Sequence, residues 1–153
     1  GDIVFCELSG SFWDYSGQVL RSFTVGAEPT ALYRDLHATA EAAFDAVTAV
    51  VRHGTTMEEI LDAAGVIEEH GFTVCDDLMH GFGGGYFPPI LGTKSRPAGP
   101  LPRMTLEENM TLVVQPNVIA RDRPAGVQVG ELIRVTHTGY ERLHHAPRGF
   151  FRA

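Results

Sequence analysis

The chain has 153 residues, 44% of them hydrophobic, which is enough for one globular domain with its own core and too few for two ordinary ones. Twelve basic against nineteen acidic residues leave a formal charge of -7, a balance that repels nucleic acid and acidic membrane surfaces and excludes a polyanion partner. No stretch approaches the roughly 18 to 20 apolar residues of a membrane-spanning helix, and Gly1-Asp2 opens no basic, apolar-tailed leader, so a cytoplasmic location is expected.

Ile3 to Leu8 is a short apolar run, and Ser9-Gly10 and Asp14 to Gly17 supply turn residues before Gln18 to Val25, a pattern that predicts a β-hairpin. The chain enters this hairpin abruptly, and it is expected to be part of a larger domain. From Thr30, a plausible N-cap, Leu32, Leu36, Ala40, Ala43, Phe44, Val47 and Val51 recur at three- and four-residue spacing, predicting a long amphipathic helix that stops near His53-Gly54. Thr56, Glu58 and Glu59 open a second, shorter helix that runs to His70-Gly71.

Phe72 to Leu78 is expected as a strand, and His80 to Tyr86 as a glycine-rich turn. Pro88 to Pro102 is too dense in Pro and Gly for a regular element. Met110 to Val118 and Gly126 to Val135 are β-branched runs predicted to pair antiparallel. Hairpin, two helices, strand, loop and further strands make an α+β layer, helices on one face of a mostly antiparallel sheet. Cys6 and Cys75, with no CxxC spacing, are expected to be buried free thiols.

Four segments resemble, in order, the second half of the pita-bread enzymes of the creatinase, prolidase and methionine aminopeptidase family: Gly1 to Glu7, Tyr15 to Phe23, His80-Gly81-Phe82-Gly83, and Glu107 to Pro116. A fifth, Gly130 to Gly139, resembles their closing strand. The resemblance implies the C-terminal part, residues 1–153, of a pita-bread catalytic domain whose N-terminal half is missing. A lone half would expose an apolar face, and a homodimer is expected.

Metal-dependent members of that family hold two metal ions with two Asp, one His and two Glu, anionic oxygens that offset the ions' charge and leave a polarised water between them. By resemblance the first Asp falls on Glu7, the second on Gln18, the His on His80, the first Glu on Gln115 and the last Glu on Gly130. The second histidine of such enzymes falls on Phe87. Formal charge at these positions drops from about four negatives to one, too little for two tightly held hard cations, so no metal and no other cofactor is expected. Glu131 is one residue along from Gly130, but adjacent strand residues point to opposite faces.

The resemblance therefore implies a creatinase- or aminopeptidase-like hydrolase of an amide or other C–N bond in a small-molecule or peptide substrate. His80 and Glu7 are the candidate catalytic residues, and Gln18, Gln115, Tyr86 and Phe87 the candidate substrate-binding ones. Two alternatives stand beside it: an Xaa-Pro-type metallopeptidase with an atypical metal site of His80, Glu7 and Glu131, and a non-catalytic ligand-binding homologue. Gly83 to Gly85 form no nucleotide-binding motif. His144-His145 reads as a solvated tail.

Overall fold

A computed structural model describes all residues, 1–153. Strands β1 (Ile3–Phe12) and β2 (Tyr15–Thr24) form the predicted hairpin. It is longer than expected, because Gly10 and Gly17 pair across the ladder instead of ending it. The turn is Trp13-Asp14, both left-handed at φ 52° and 62°, the two-residue connection whose twist matches that of the strands.

Helix α1 spans Ala31–Val50, and the Thr30 side chain accepts from the Tyr33 N–H as its N-cap. It ends at an extended Val51 rather than at Gly54, which lies beyond the cap with φ 87°. The second predicted helix is two: α2 (Met57–Ala63), opened by a Thr56–Glu59 capping box, and the one-turn α3 (Val66–Glu69). Gly65, a poor helix residue, lies at the break.

Seven short strands follow: β3 (Thr73–Val74), β4 (Met79–Phe82), β5 (Tyr86–Leu91), β6 (Thr111–Val114), β7 (Val118–Ile119), β8 (Gly130–Val135) and β9 (Tyr140–Arg142). A last one, β10 (Phe151–Arg152), closes the chain. The main sheet runs β1-β2-β8-β6-β4-β5, antiparallel along that path, with β9 antiparallel beside β8 and β10 parallel beside β2; β3 and β7 pair separately. The predicted pairing of the two β-branched runs is the β6–β8 ladder. His80 lies inside a strand, not on a turn. Pro88 and Pro89 lie in β5, an edge strand that tolerates a missing N–H.

The main core lies between the helices and one sheet face, where Leu36, Phe44, Val47, Met57 and Ile60 meet Met79, Leu112, Val114, Ile133 and Val135. Each such side chain is worth about 1.5–3 kcal/mol of burial, which makes the sheet a stiff platform. The other face carries only a small apolar cluster of Leu20, Val113 and Leu132, flanked by Phe82. Both cysteines are free, but Cys6 is half-buried and Cys75 exposed, because Cys75 follows the short β3 instead of lying within a longer strand. No helix is long and apolar enough to cross a membrane.

Candidate active site

Directly paired residues on neighbouring strands project to the same side of a sheet. Glu7 pairs with Leu20, and Leu20 with Gly130; one row along, Leu132 pairs with Val113, and Val113 with His80. Gln115 follows Val114 at the end of β6, and its Cβ lies 3.0 Å from where a Gly130 Cβ would be. Glu7, Gln18, His80, Gln115 and Gly130 therefore share the face turned away from the helices.

Two amide–carboxylate pairs organise it. Gln18 Nε2 donates to Glu7 Oε1 at 2.5 Å, and Gln115 Nε2 donates to Asp77 Oδ1 at 2.9 Å. Tyr86 Oη donates to the other Asp77 oxygen at 2.6 Å, and the Tyr86 ring stacks on His80 with centroids 4.0 Å apart. Phe82 meets the His80 ring edge-on at 5.4 Å. Phe87 stays outside this group: it pairs with Gly81 across a bulge in the β4–β5 ladder, is half exposed and makes no ring contact with His80.

Asp77 was not singled out from the sequence. Its signal was the Asp76-Asp77 pair between the apolar ends of the Val74 to Met79 stretch, the second of them three residues before His80, and such a residue is buried only when it is hydrogen-bonded. Burial pushes the Asp77 carboxyl above its usual range, opposed by the Tyr86 hydroxyl and by His80. Burial, then the bond to Asp77, pushes the Tyr86 phenol up in turn.

His80 is buried, and its Nδ1 lies 3.2 Å from the Gly81 carbonyl oxygen. A carbonyl only accepts, so the proton belongs on Nδ1, leaving the Nε2 lone pair free to accept one.

Glu131 takes no part. It pairs with Val19 and Val114, projects to the helix side, and is completely buried there against Arg21 Nη2 at 2.7 Å and Arg142 Nε at 2.5 Å. His144 packs beside the same carboxylate, its Nε2 4.0 Å from Oε2, so the segment expected as a solvated tail is partly held down. At Gly130 an added Cβ would lie 2.7 Å from Leu20 Cδ1, so that direction is already filled. No three His, Cys, Asp or Glu side chains converge as metal ligands.

The model of metallopeptidase family M24 matches residues 1–137. The chain belongs to metallopeptidase family M24. Among solved structures it is similar to an Xaa-Pro dipeptidase from Bacillus anthracis, at 22% identity and a TM-score of 0.86 over 100% of this chain and 42% of that one. It is also similar to an X-Pro aminopeptidase from Thermotoga maritima, at 21% and 0.84 over 100% and 42%, and to a methionine aminopeptidase from Rickettsia prowazekii, at 25% and 0.76 over 93% and 64%. No curated protein matches. The fold is thus the α+β half of a pita-bread domain expected from the sequence, and the chain spans about two fifths of the length of the first two of these structures.

Proposed function

We propose that this chain is the C-terminal part of a pita-bread catalytic domain in a creatinase- or aminopeptidase-like hydrolase, which cleaves an amide or other C–N bond of a small-molecule or peptide substrate without the family's metal pair. The protein works with an N-terminal half-domain and as a homodimer, for which the exposed Leu8, Phe12 and Trp13 offer apolar contact area. The observation that carries the reading is the gathering of His80, Glu7, Gln18 and Gln115, with Asp77 and Tyr86, on one sheet face of an M24 chain.

The donor set does not fit two tightly held hard cations. Glu7 is the one carboxylate at the five family positions, both glutamine nitrogens are turned to carboxylates, and the Gly130 direction is filled by Leu20. Glu131 is on the wrong face and already neutralised by two arginines, which argues against the metal set of His80, Glu7 and Glu131.

In this reading His80 Nε2 takes a proton from an attacking water as its oxygen bonds to the carbon, and returns the proton to the nitrogen as the C–N bond breaks. Asp77 holds Tyr86 against the His80 ring and is a positioning residue. Positioned acid–base groups contribute about 10²–10⁴-fold, so His80→Ala in the full-length protein is expected to lower turnover in a dipeptide and amidine screen at least 100-fold. Turnover in the parent protein should survive a chelator. Activity abolished by chelation and restored by Mn²⁺ would overturn the reading, and saturable substrate binding without turnover would make the chain a non-catalytic binding homologue.

A further inference from the structure

We infer that the segment from His144 to Ala153 is a clasp on the seam between β2 and β8, and that a proton on His37 releases it. The seam is narrow, since β2 pairs with β8 only at Val19–Glu131 and Leu20–Gly130. It joins the hairpin that carries Glu7 and Gln18 to the strands that carry His80 and Gln115. Arg21 spans it, Nη1 donating to the Leu20 oxygen at 2.8 Å and to the Gly130 oxygen at 3.0 Å. The segment holds that guanidinium from outside: the Pro147 oxygen accepts from Arg21 Nε at 2.7 Å, and the Ala146 oxygen from Arg21 Nη2 at 3.0 Å.

Further along, the segment crosses α1. Arg148 lies over the Phe44 ring, 4.5 Å from its centroid, and donates to Glu41 Oε2 and to Asp45 Oδ1, each at 2.7 Å. Phe150 stacks on the His37 ring with centroids 4.8 Å apart. At β10 the Ala153 N–H donates to the Thr24 oxygen at 2.9 Å, and the Gly26 N–H to the Ala153 oxygen at 2.8 Å. None of the segment's residues is fully buried. Directional polar contacts hold it in place of core packing, and such an element opens locally, at less than the cost of global unfolding.

His37 is the buried titratable group beneath it, 7% exposed. It faces Glu41 on its own helix, Arg148 and the Gly149 backbone on the segment, and Arg21 on β2. Its Nε2 and Glu41 Oε1 are 3.8 Å apart, and neither has a hydrogen-bond partner. Burial holds the imidazole below its usual 6.5, with Glu41 opposing and the two arginines adding to the depression. Opening the segment returns the ring to water, so the open state binds the proton more tightly and gains population as pH falls through about 6.5.

The test is amide hydrogen exchange of the full-length protein at about pH 7.5 and 5.5, expressed as protection relative to the unfolded chain. Protection of Gly26 and Ala153 should fall roughly three- to tenfold while the β6–β8 ladder is unchanged, and the fall should be absent in His37→Gln. Arg148→Ala loosens the segment from α1 without touching the seam; it should release the clasp at the higher pH and lower protection where β2 and β8 pair. Protection of the clasp that ignores pH, an equal fall in His37→Gln, loss only together with the β6–β8 ladder, or an unaltered seam beside an open clasp would each overturn the inference. If a variant fails to fold, the His37 ring resonances of the parent decide: they must titrate together with the fall, and a ring neutral throughout contradicts it. The inference takes from the proposed function only that the hairpin and the inner strands share a site. Exchange reads the clasp whether or not the protein turns over a substrate, so a failed hydrolysis screen sinks the proposed chemistry and leaves the clasp.

Discussion

Glu131→Gln separates a structural role for this carboxylate from a role in the active site. Glu131 is wholly buried, Arg21 is 13% exposed and Arg142 39%. Removing one partner of a buried ion pair costs about 3–5 kcal/mol because the other charge is left uncompensated. The Arg142 contact is open enough to be worth only about 0–1 kcal/mol, so the lower end, about 3 kcal/mol, applies. At about 2–4 °C per kcal/mol for a domain of this size, the midpoint of thermal unfolding should fall by roughly 6–12 °C. The same arginines hold the C-terminal segment, Arg21 Nε on Pro147 O at 2.7 Å and Arg142 Nη2 on Ala146 O at 2.8 Å, so limited proteolysis after Leu143 should accelerate in the variant. Circular dichroism melts of parent, Glu131→Gln and Arg142→Ala measure the effect. A midpoint within 2 °C of the parent, or intact stability with selectively lost activity, would refute the reasoning.

Gly130→Ala should cost about 1–3 kcal/mol by overpacking, since its Cβ would meet Leu20 at 2.7 Å; a stability equal to the parent's in denaturant titration would contradict that. Burial holds the His37 imidazole below its usual value of 6.5, with Glu41 opposing, so the unfolded chain binds more protons and stability falls as pH drops through about 6.5. The slope between pH 7 and 5.5 should be smaller in His37→Gln, and an unchanged slope would be against it. Replacing Trp13-Asp14 by Asn-Gly fits the left-handed φ values of 52° and 62° and should stabilise the hairpin by about 1 kcal/mol; a lower melting point at a protein concentration where the chain is monomeric would count against the turn assignment.

Periodicity carried α1, because eight buried residues repeat along one face of twenty, and apolar runs rich in β-branched residues carried β6 and β8. The breaks were less legible. Gly10 and Gly17 read as turns in isolation, but they lie opposite each other in the register, a non-local fact. Pro88 and Pro89 read as loop because a proline's missing N–H matters only if a neighbouring strand needs it, and edge position is set by topology. At the candidate site, His80, Gln18 and Gln115 were proposed from the family resemblance rather than from periodicity. Asp77 escaped because its importance comes from Gln115 and Tyr86, 38 and 9 residues away. Glu131 was legible from strand alternation alone, and the β8 register places it on the helix side.

The most direct measurement is the metal content of freshly purified full-length protein by elemental analysis. On the proposed reading, in which Gln18, Gln115 and Gly130 stand where the family resemblance puts metal ligands, far less than one Mn, Co or Zn per chain is expected; about two per chain would contradict the account and make this a dimetal peptidase.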